Sequence, residues 1–226
     1  MKFLLTAVLM VVVAIAAVVG YSVFRTPPEA SAPIAAAPIA QTSAASSVPT
    51  TVFEIDPNAS SAKFVVDEVL RGSPKTVVGA TNQVAGQIAL NLNDLDAAQV
   101  GTIKINARTL ATDDGSRNRM LQNQILQTEQ HEYITFTPTR TVGLPDTATV
   151  GQPFTFQLVG DLSIRGTSRE TTFDVTVTPT AADQLQGQAT TTIKYADWGV
   201  SVPKVPAVAG VNENVGLQLD FVAKTS

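Results

Sequence analysis

Phe154-Thr155-Phe156-Gln157-Leu158-Val159-Gly160-Asp161-Leu162-Ser163-Ile164, then Arg165-Gly166-Thr167-Ser168, then Arg169-Glu170-Thr171-Thr172-Phe173-Asp174-Val175-Thr176-Val177-Thr178: this stretch decides the fold. Phe154, Phe156, Leu158, Gly160, Leu162 and Ile164 alternate with Thr155, Gln157, Asp161, Ser163 and Arg165. Phe173, Val175 and Val177 alternate with Thr172, Asp174, Thr176 and Thr178. Side chains of an extended chain point to opposite faces in turn, so each run has one apolar and one polar face. Glycine tolerates positive φ, and the Arg165-Gly166-Thr167-Ser168 segment between the runs therefore reads as a tight hairpin turn.

The same period recurs on both sides. Ala62, Phe64 and Val66 alternate with Lys63 and Asp67. Val84, Gly86, Ile88, Leu90 and Leu92 alternate with Gln87, Asn91 and Asn93. Ile103 and Ile105 follow, then Ala189, Thr191, Ile193 and Tyr195, and finally Val215, Leu217, Leu219 and Phe221. Threonine and valine dominate, as a pleated surface favours. The pattern breaks from Ser116 to Gln127, where Leu121 and Ile125 stand at helical i, i+4 spacing. Asp113, Asp114 or Ser116 can cap a short helix there.

The sum is an all-β domain of eight or nine strands with one short helix. Long strands with one apolar face must pack on a second sheet or curl closed, and closure removes exposed edges. An antiparallel barrel of about eight strands has an interior wide enough for side chains or one slender ligand. Gly86 and Gly160, on the inward face, suit sharp strand bending and leave space. A solid sandwich is the competing architecture.

Composition narrows the function. The chain has 226 residues and a formal net charge of −4, which does not attract a polyanion, so no nucleic-acid partner is expected. With no cysteine there is no disulfide, thiol chemistry or cysteine-ligated metal, and one histidine cannot build a multi-histidine site. His131, beside Glu129 and Glu132, reads as a solvated loop residue rather than a general base. Asp113-Asp114-Gly115 is followed by Arg117 and Arg119 instead of further acids, so it reads as a helix cap and not a calcium loop. No cofactor, metal or catalytic residue is expected, and the chain is not read as an enzyme.

The N-terminus has its own logic. Residues 3–24 are apolar apart from Thr6, Gly20 and Ser22, and roughly 20 apolar residues span a hydrocarbon core. Tyr21-Ser22-Val23-Phe24-Arg25 offers no small-x-small cleavage site, which favours an uncleaved single-pass transmembrane anchor over a removed signal. Lys2 staying inside would put the domain outside the cytoplasm, at the cell membrane; cleavage would leave it secreted or periplasmic. Residues 26–50, rich in Ala, Pro, Ser and Thr, read as a semi-stiff spacer that lifts the domain off the bilayer. The expected organisation is therefore 1–25 anchor or signal, 26–50 linker and 51–226 barrel.

Several segments carry a resemblance. These are Phe53-Glu54-Ile55-Asp56-Pro57 with Ser60 and Phe64, Val78-Gly79, Gly86-Gln87-Ile88, and Tyr133-Ile134-Thr135-Phe136. Leu162-Ser163-Ile164-Arg165-Gly166-Thr167-Ser168-Arg169 and Asp197-Trp198-Gly199 complete the set. In this order, over residues 51–226, the chain resembles the YceI-like family of lipocalin-like, polyisoprenoid-binding proteins. The resemblance implies an extended antiparallel barrel whose apolar cavity holds an isoprenoid chain, such as a polyprenyl lipid or a quinone tail. The family usually carries an Arg-Asp pair and then a histidine at the start of the helix. Here Arg117-Asn118-Arg119-Met120-Leu121 stands instead.

The candidate apolar ligand wall is Phe64, Val66, Ile88, Leu90, Ile103, Ile105, Phe136, Phe156, Leu158, Phe173, Val175, Leu217 and Leu219. Arg117 and Arg119, near a helix N-terminus, are candidates for a polar head group, against a surface ion-pair cluster with Asp113 and Asp114; Trp198 is a candidate at the mouth, against a structural plug of the barrel end. The alternative is an interaction module whose barrel is filled by the same side chains.

Overall fold

The computed structural model describes residues 21, 25–39, 49–204 and 208–225. The apolar run expected to cross a membrane lies, apart from Tyr21, outside the described residues. Among the described residues no helix is long and apolar enough to span a bilayer.

One curled antiparallel sheet makes up the domain. Its strands are β1 (Thr51–Ile55), β2 (Ser61–Leu70), β3 (Ser73–Thr81), β4 (Val84–Ala85), β5 (Gln87–Asn91), β6 (Asp94–Val100) and β7 (Ile103–Asn106). They continue with β8 (Tyr133–Val142), β9 (Phe154–Ile164), β10 (Thr167–Ala181), β11 (Gln184–Lys194), β12 (Val208–Val211) and β13 (Asn214–Thr225). The pairing path runs β4-β7-β8-β9-β10-β11-β13-β1-β5-β6, and β13 also carries the β2–β3 hairpin, with β12 beside β2. β4 and β5 are parted only by Gly86, and β6 and β7 only by Gly101 and Thr102. The two ends of the path thus belong to adjoining stretches of chain, and the sheet curls back on itself.

The strand count departs from the eight expected: the sheet has thirteen strand segments. Breaks within long strands account for part of the excess. The short β1, β6 and β12 account for more, because none of them shows a clear alternation to read. The hairpin at Arg165-Gly166 forms as the sequence indicates. Ile164 pairs with Thr167, and both turn residues have positive φ, 52° and 77°, the geometry that matches the twist of two-residue hairpins.

The expected helix is two pieces. Helix α1 spans Gly115–Met120, and one π-helical stretch follows at Leu121–Ile125. Of the three possible caps, Asp114 does the capping, its Oδ1 accepting from the Arg117 amide at 2.8 Å.

Gly86 and Gly160 require correction. Neither leaves space for a ligand. A Cβ on Gly86 would strike Ile103 and Ile55, and one on Gly160 would strike the Thr137 carbonyl, Pro138 and Phe136. Gly160 lies opposite Pro138, where β8 bulges between Pro138 and Arg140, so the missing side chain admits a close backbone approach.

Part of the semi-stiff spacer lies along the domain. Where it is described, residues 25–39, it is bonded to the outside of the domain at three successive places. Asn123 Nδ2 donates to the Arg25 carbonyl (2.9 Å), while Arg25 pairs with Glu129 (2.6 Å). The Ser31 amide and hydroxyl donate to Glu132 (2.8 and 2.7 Å). The Ile39 amide donates to Gln87 (3.1 Å). Proline removes donors from this stretch, and the Ser31 and Ile39 amides find side-chain acceptors on the domain.

Candidate functional site: an apolar cavity with a charged rim

The inward positions of the long strands face a void. Its volume is about 620 Å³, within the range of small-molecule sites. Every apolar candidate borders it: Phe64, Val66, Ile88, Leu90, Ile103, Ile105, Phe136, Phe156, Leu158, Phe173, Val175, Leu217 and Leu219. Their burial explains why the centre is hollow. Ile88, Leu90, Ile103, Phe136, Leu158 and Val175 are buried among neighbours. Phe64, Ile105, Phe156, Phe173, Leu217 and Leu219 pack on that core yet are only partly buried. These point inward, so their open surface is turned to the cavity. Phe136 and Phe173 meet edge to face with ring centroids 4.8 Å apart, which holds one aromatic wall in place.

One end of the cavity is covered. Residues 143–153 fold over it: the Leu95 amide donates to Asp146 O, and the Ala148 amide donates to Leu92 O (both 2.8 Å). Beneath lie Leu95 and Leu185, which are almost wholly buried, and Val177. The opposite end is the mouth. Its bordering residues include exposed Arg71, Asp114 and Ser116, from the β2–β3 turn and the start of α1. Met120, Leu121, Ile125, Val202, Pro203 and Val208 complete the surround.

At this mouth lies a group of charges of which the sequence showed Asp113 and Arg117 but not Glu68 and Lys75. Glu68 continues the inward series Ala62, Phe64, Val66, and its β3 partner is Lys75. Arg117 Nη2 donates to Glu68 at 3.0 Å and Nη1 to Asp113 at 2.6 Å, while Lys75 donates to Asp113 at 2.9 Å. The Lys75 hydrogen bond foremost, with Arg117 beside it, holds the Asp113 carboxyl below the usual aspartate range. Two cations and two anions thus neutralise one another and tie α1 to the β2–β3 hairpin. Counting the period-two pattern two residues further would have placed Glu68 on the inner face. Its partner, 49 residues away, could not be read.

The head-group candidates separate. Arg117 borders the cavity but is engaged by Glu68 and Asp113. Arg119 is exposed, does not border the cavity, and approaches only Ser116 Oγ, at 3.5 Å. It turns outward because α1 presents residues two apart on different sides. Trp198 borders the cavity and is buried, with Nε1 donating to the Leu162 carbonyl at 2.9 Å. His131 lies against Gly166 in the loop before β8. Among the described residues no cluster of acids and histidine could hold a metal.

A YceI-like domain is matched over residues 53–223 of this chain. The chain belongs to the YceI-like family. Three solved structures share this YceI fold. A polyisoprenoid binding domain from Saccharophagus degradans, implicated in plant cell wall breakdown, is 15% identical, with a TM-score of 0.59 over 78% of this chain and 99% of that one. BcnA of Burkholderia cenocepacia is 16% identical, with a TM-score of 0.59 over 75% and 99%. The Campylobacter jejuni YceI protein is 15% identical, with a TM-score of 0.52 over 63% and 81%. No curated protein matches the sequence. At such identities the likeness establishes the lipocalin-like YceI fold, an all-β curled half-barrel with one short helix.

Proposed function

We propose that this YceI-like domain binds an isoprenoid lipid, or a similar long apolar amphiphile, in its cavity outside the cytoplasm while tethered to a membrane by residues 3–24. The observation that carries the proposal is the void of about 620 Å³ bordered by phenylalanine, leucine, isoleucine and valine. In a filled barrel the inward phenylalanines would meet across the middle. Here Phe64, Phe156 and Phe173 keep open surface on the cavity side.

The energetics favour a chain ligand. Each methylene taken out of water contributes about 0.8 kcal/mol, so ten contribute about 8 kcal/mol before ordering costs. The cavity needs no polar contact to gain that. The mouth then bears on the head group. Its Glu68, Arg117, Asp113 and Lys75 charges cancel locally, and the exposed Arg71 and Asp114 that also border it are of opposite sign, so the described rim holds no cation cluster to clamp a diphosphate. A neutral head, such as an alcohol or a quinone ring, fits this balance. Shape and apolar lining, with no activated nucleophile among the described residues, support a binder and carrier rather than an enzyme.

Native mass spectrometry of the purified chain, followed by solvent extraction, tests the proposal. A stoichiometric co-purifying lipid is the expected result. A bare mass, together with no uptake of prenyl alcohols or quinones by the delipidated protein, would refute it and favour an interaction module.

A further inference from the structure

The order in which the N-terminal strap touches the domain fixes which end of the cavity meets the anchor. Arg25, immediately after the apolar run, is held at Asn123 and Glu129 beside the π-helical stretch. Ser31 is held lower, at Glu132 and Arg108, and Ile39 lower again, at Gln87. The Pro49 carbonyl accepts from Asn91 Nδ2 next to the β5–β6 turn, at the covered end. The strap therefore descends the outside from mouth end to covered end, and β1 returns upward.

Asn123 is six residues along the same helical stretch from Arg117 at the rim, about 9 Å at 1.5 Å per residue. The covered end is farther away by the length of β13, twelve residues or roughly 40 Å. A chain leaving Arg25 toward a bilayer thus leaves beside the mouth.

Charge separates the two ends as well. Asp94 and Asp96 at the start of β6, with Asp146 and Asp183 in loops, stand at the covered end, and none forms an ion pair among the described residues. At the mouth the four buried or rim charges cancel, the exposed Arg71 and Arg119 are balanced by exposed Asp67 and Asp114, and Val69 is an exposed apolar residue on the β2–β3 hairpin. An anionic lipid surface repels the first end and accepts the second.

We infer that residues 25–39 act as a clasp that holds the cavity mouth, with the β2–β3 hairpin tip, against an anionic lipid surface. A lipid then passes between bilayer and cavity without crossing water. The inference rests on the reading of residues 3–24 as a membrane segment and of the cavity as a lipid site.

The chain has no cysteine, which makes site-specific labelling clean. Ser73 is exposed beside the β2–β3 turn and Ala182 is exposed in the β10–β11 turn. The full chain carrying S73C or A182C is labelled with a fluorophore. Each is then reconstituted in phosphatidylcholine–phosphatidylglycerol vesicles containing a spin-labelled lipid quencher. Quenching several-fold greater at residue 73 than at 182 is expected. In a Q87A/N123A/E129A/E132A background, which removes the acceptors of the Ser31 and Ile39 amides and of Arg25 together with the Asn123 donor, that difference collapses while lipid uptake in detergent solution persists. Equal or reversed quenching in vesicles that do carry the protein overturns the orientation. A difference that survives Q87A/N123A/E129A/E132A overturns the clasp. Failure to float with vesicles overturns the membrane segment and the inference with it. A bare native mass with the asymmetry intact sinks only the lipid reading.

Discussion

Replacing Ala189 by phenylalanine separates a hollow domain from a filled one by the sign of its effect. Ala189 lies on β11, opposite Val175 of β10 and Leu219 of β13, and all three border the cavity. In a close-packed core an added ring forces neighbours off their rotamers and costs about 1–3 kcal/mol. In a void of about 620 Å³ the ring finds room and leaves water. Burying a phenylalanine contributes about 1.5–3 kcal/mol relative to exposure, so the delipidated variant should be unchanged or up to about 2 kcal/mol more stable. The ring also takes the place of roughly four ligand methylenes, each about 0.8 kcal/mol. Prenyl-lipid affinity should then fall by about 3 kcal/mol, roughly 200-fold. Urea unfolding of delipidated protein reads the first effect and titration with a fluorescent prenyl probe reads the second. Destabilisation beyond about 1 kcal/mol with affinity unchanged would refute both the void and its use.

Three further outcomes are expected. Trp198→Phe removes the indole donor to the Leu162 carbonyl and should lower stability by about 1–2 kcal/mol in urea; no loss would mean that this bond does not hold the mouth loop. Gly160→Ala drives a methyl into the Thr137 carbonyl and Pro138, at a cost of about 2 kcal/mol or more; a neutral result would mean that the β8 bulge is free to move. Burial pushes the Glu132 carboxyl up, but the Ser31 amide and hydroxyl, with Arg108 and Asn106, outweigh it and leave its pKa below the ordinary 4.5. A depressed carboxylate stabilises the docked strap above that value and loses its contribution as pH falls through the lowered one. The Ser31 amide resonance should therefore shift with an inflection below 4.5, and E132Q should abolish it; an inflection above that value would contradict the docked geometry.

Much of this site could be read along the chain because strand alternation is local. Once Phe156 faces inward, Leu158 must as well, and the same step carries Phe64 to Val66 and Leu217 to Leu219. Stopping that count at Val66 hid Glu68, a carboxylate on the inner face. Arg117 was visible as a cation near a helix start, but its role depended on Glu68, from a distant strand. Gly160 was noticed as an inward glycine and misjudged. The atoms filling its missing side chain belong to a bulge in β8 that no spacing announces.

The sequence by itself determined the alternating faces, the Arg165-Gly166 turn, the short helix and the family. Each depends on neighbours within a few residues or on the order of short segments. Tertiary structure alone decided that the interior is hollow, which end is open, how the rim charges cancel and where the strap lies. Those outcomes depend on which strands become neighbours and how tightly the sheet curls, quantities that exist only after residues far apart in the chain have been brought together.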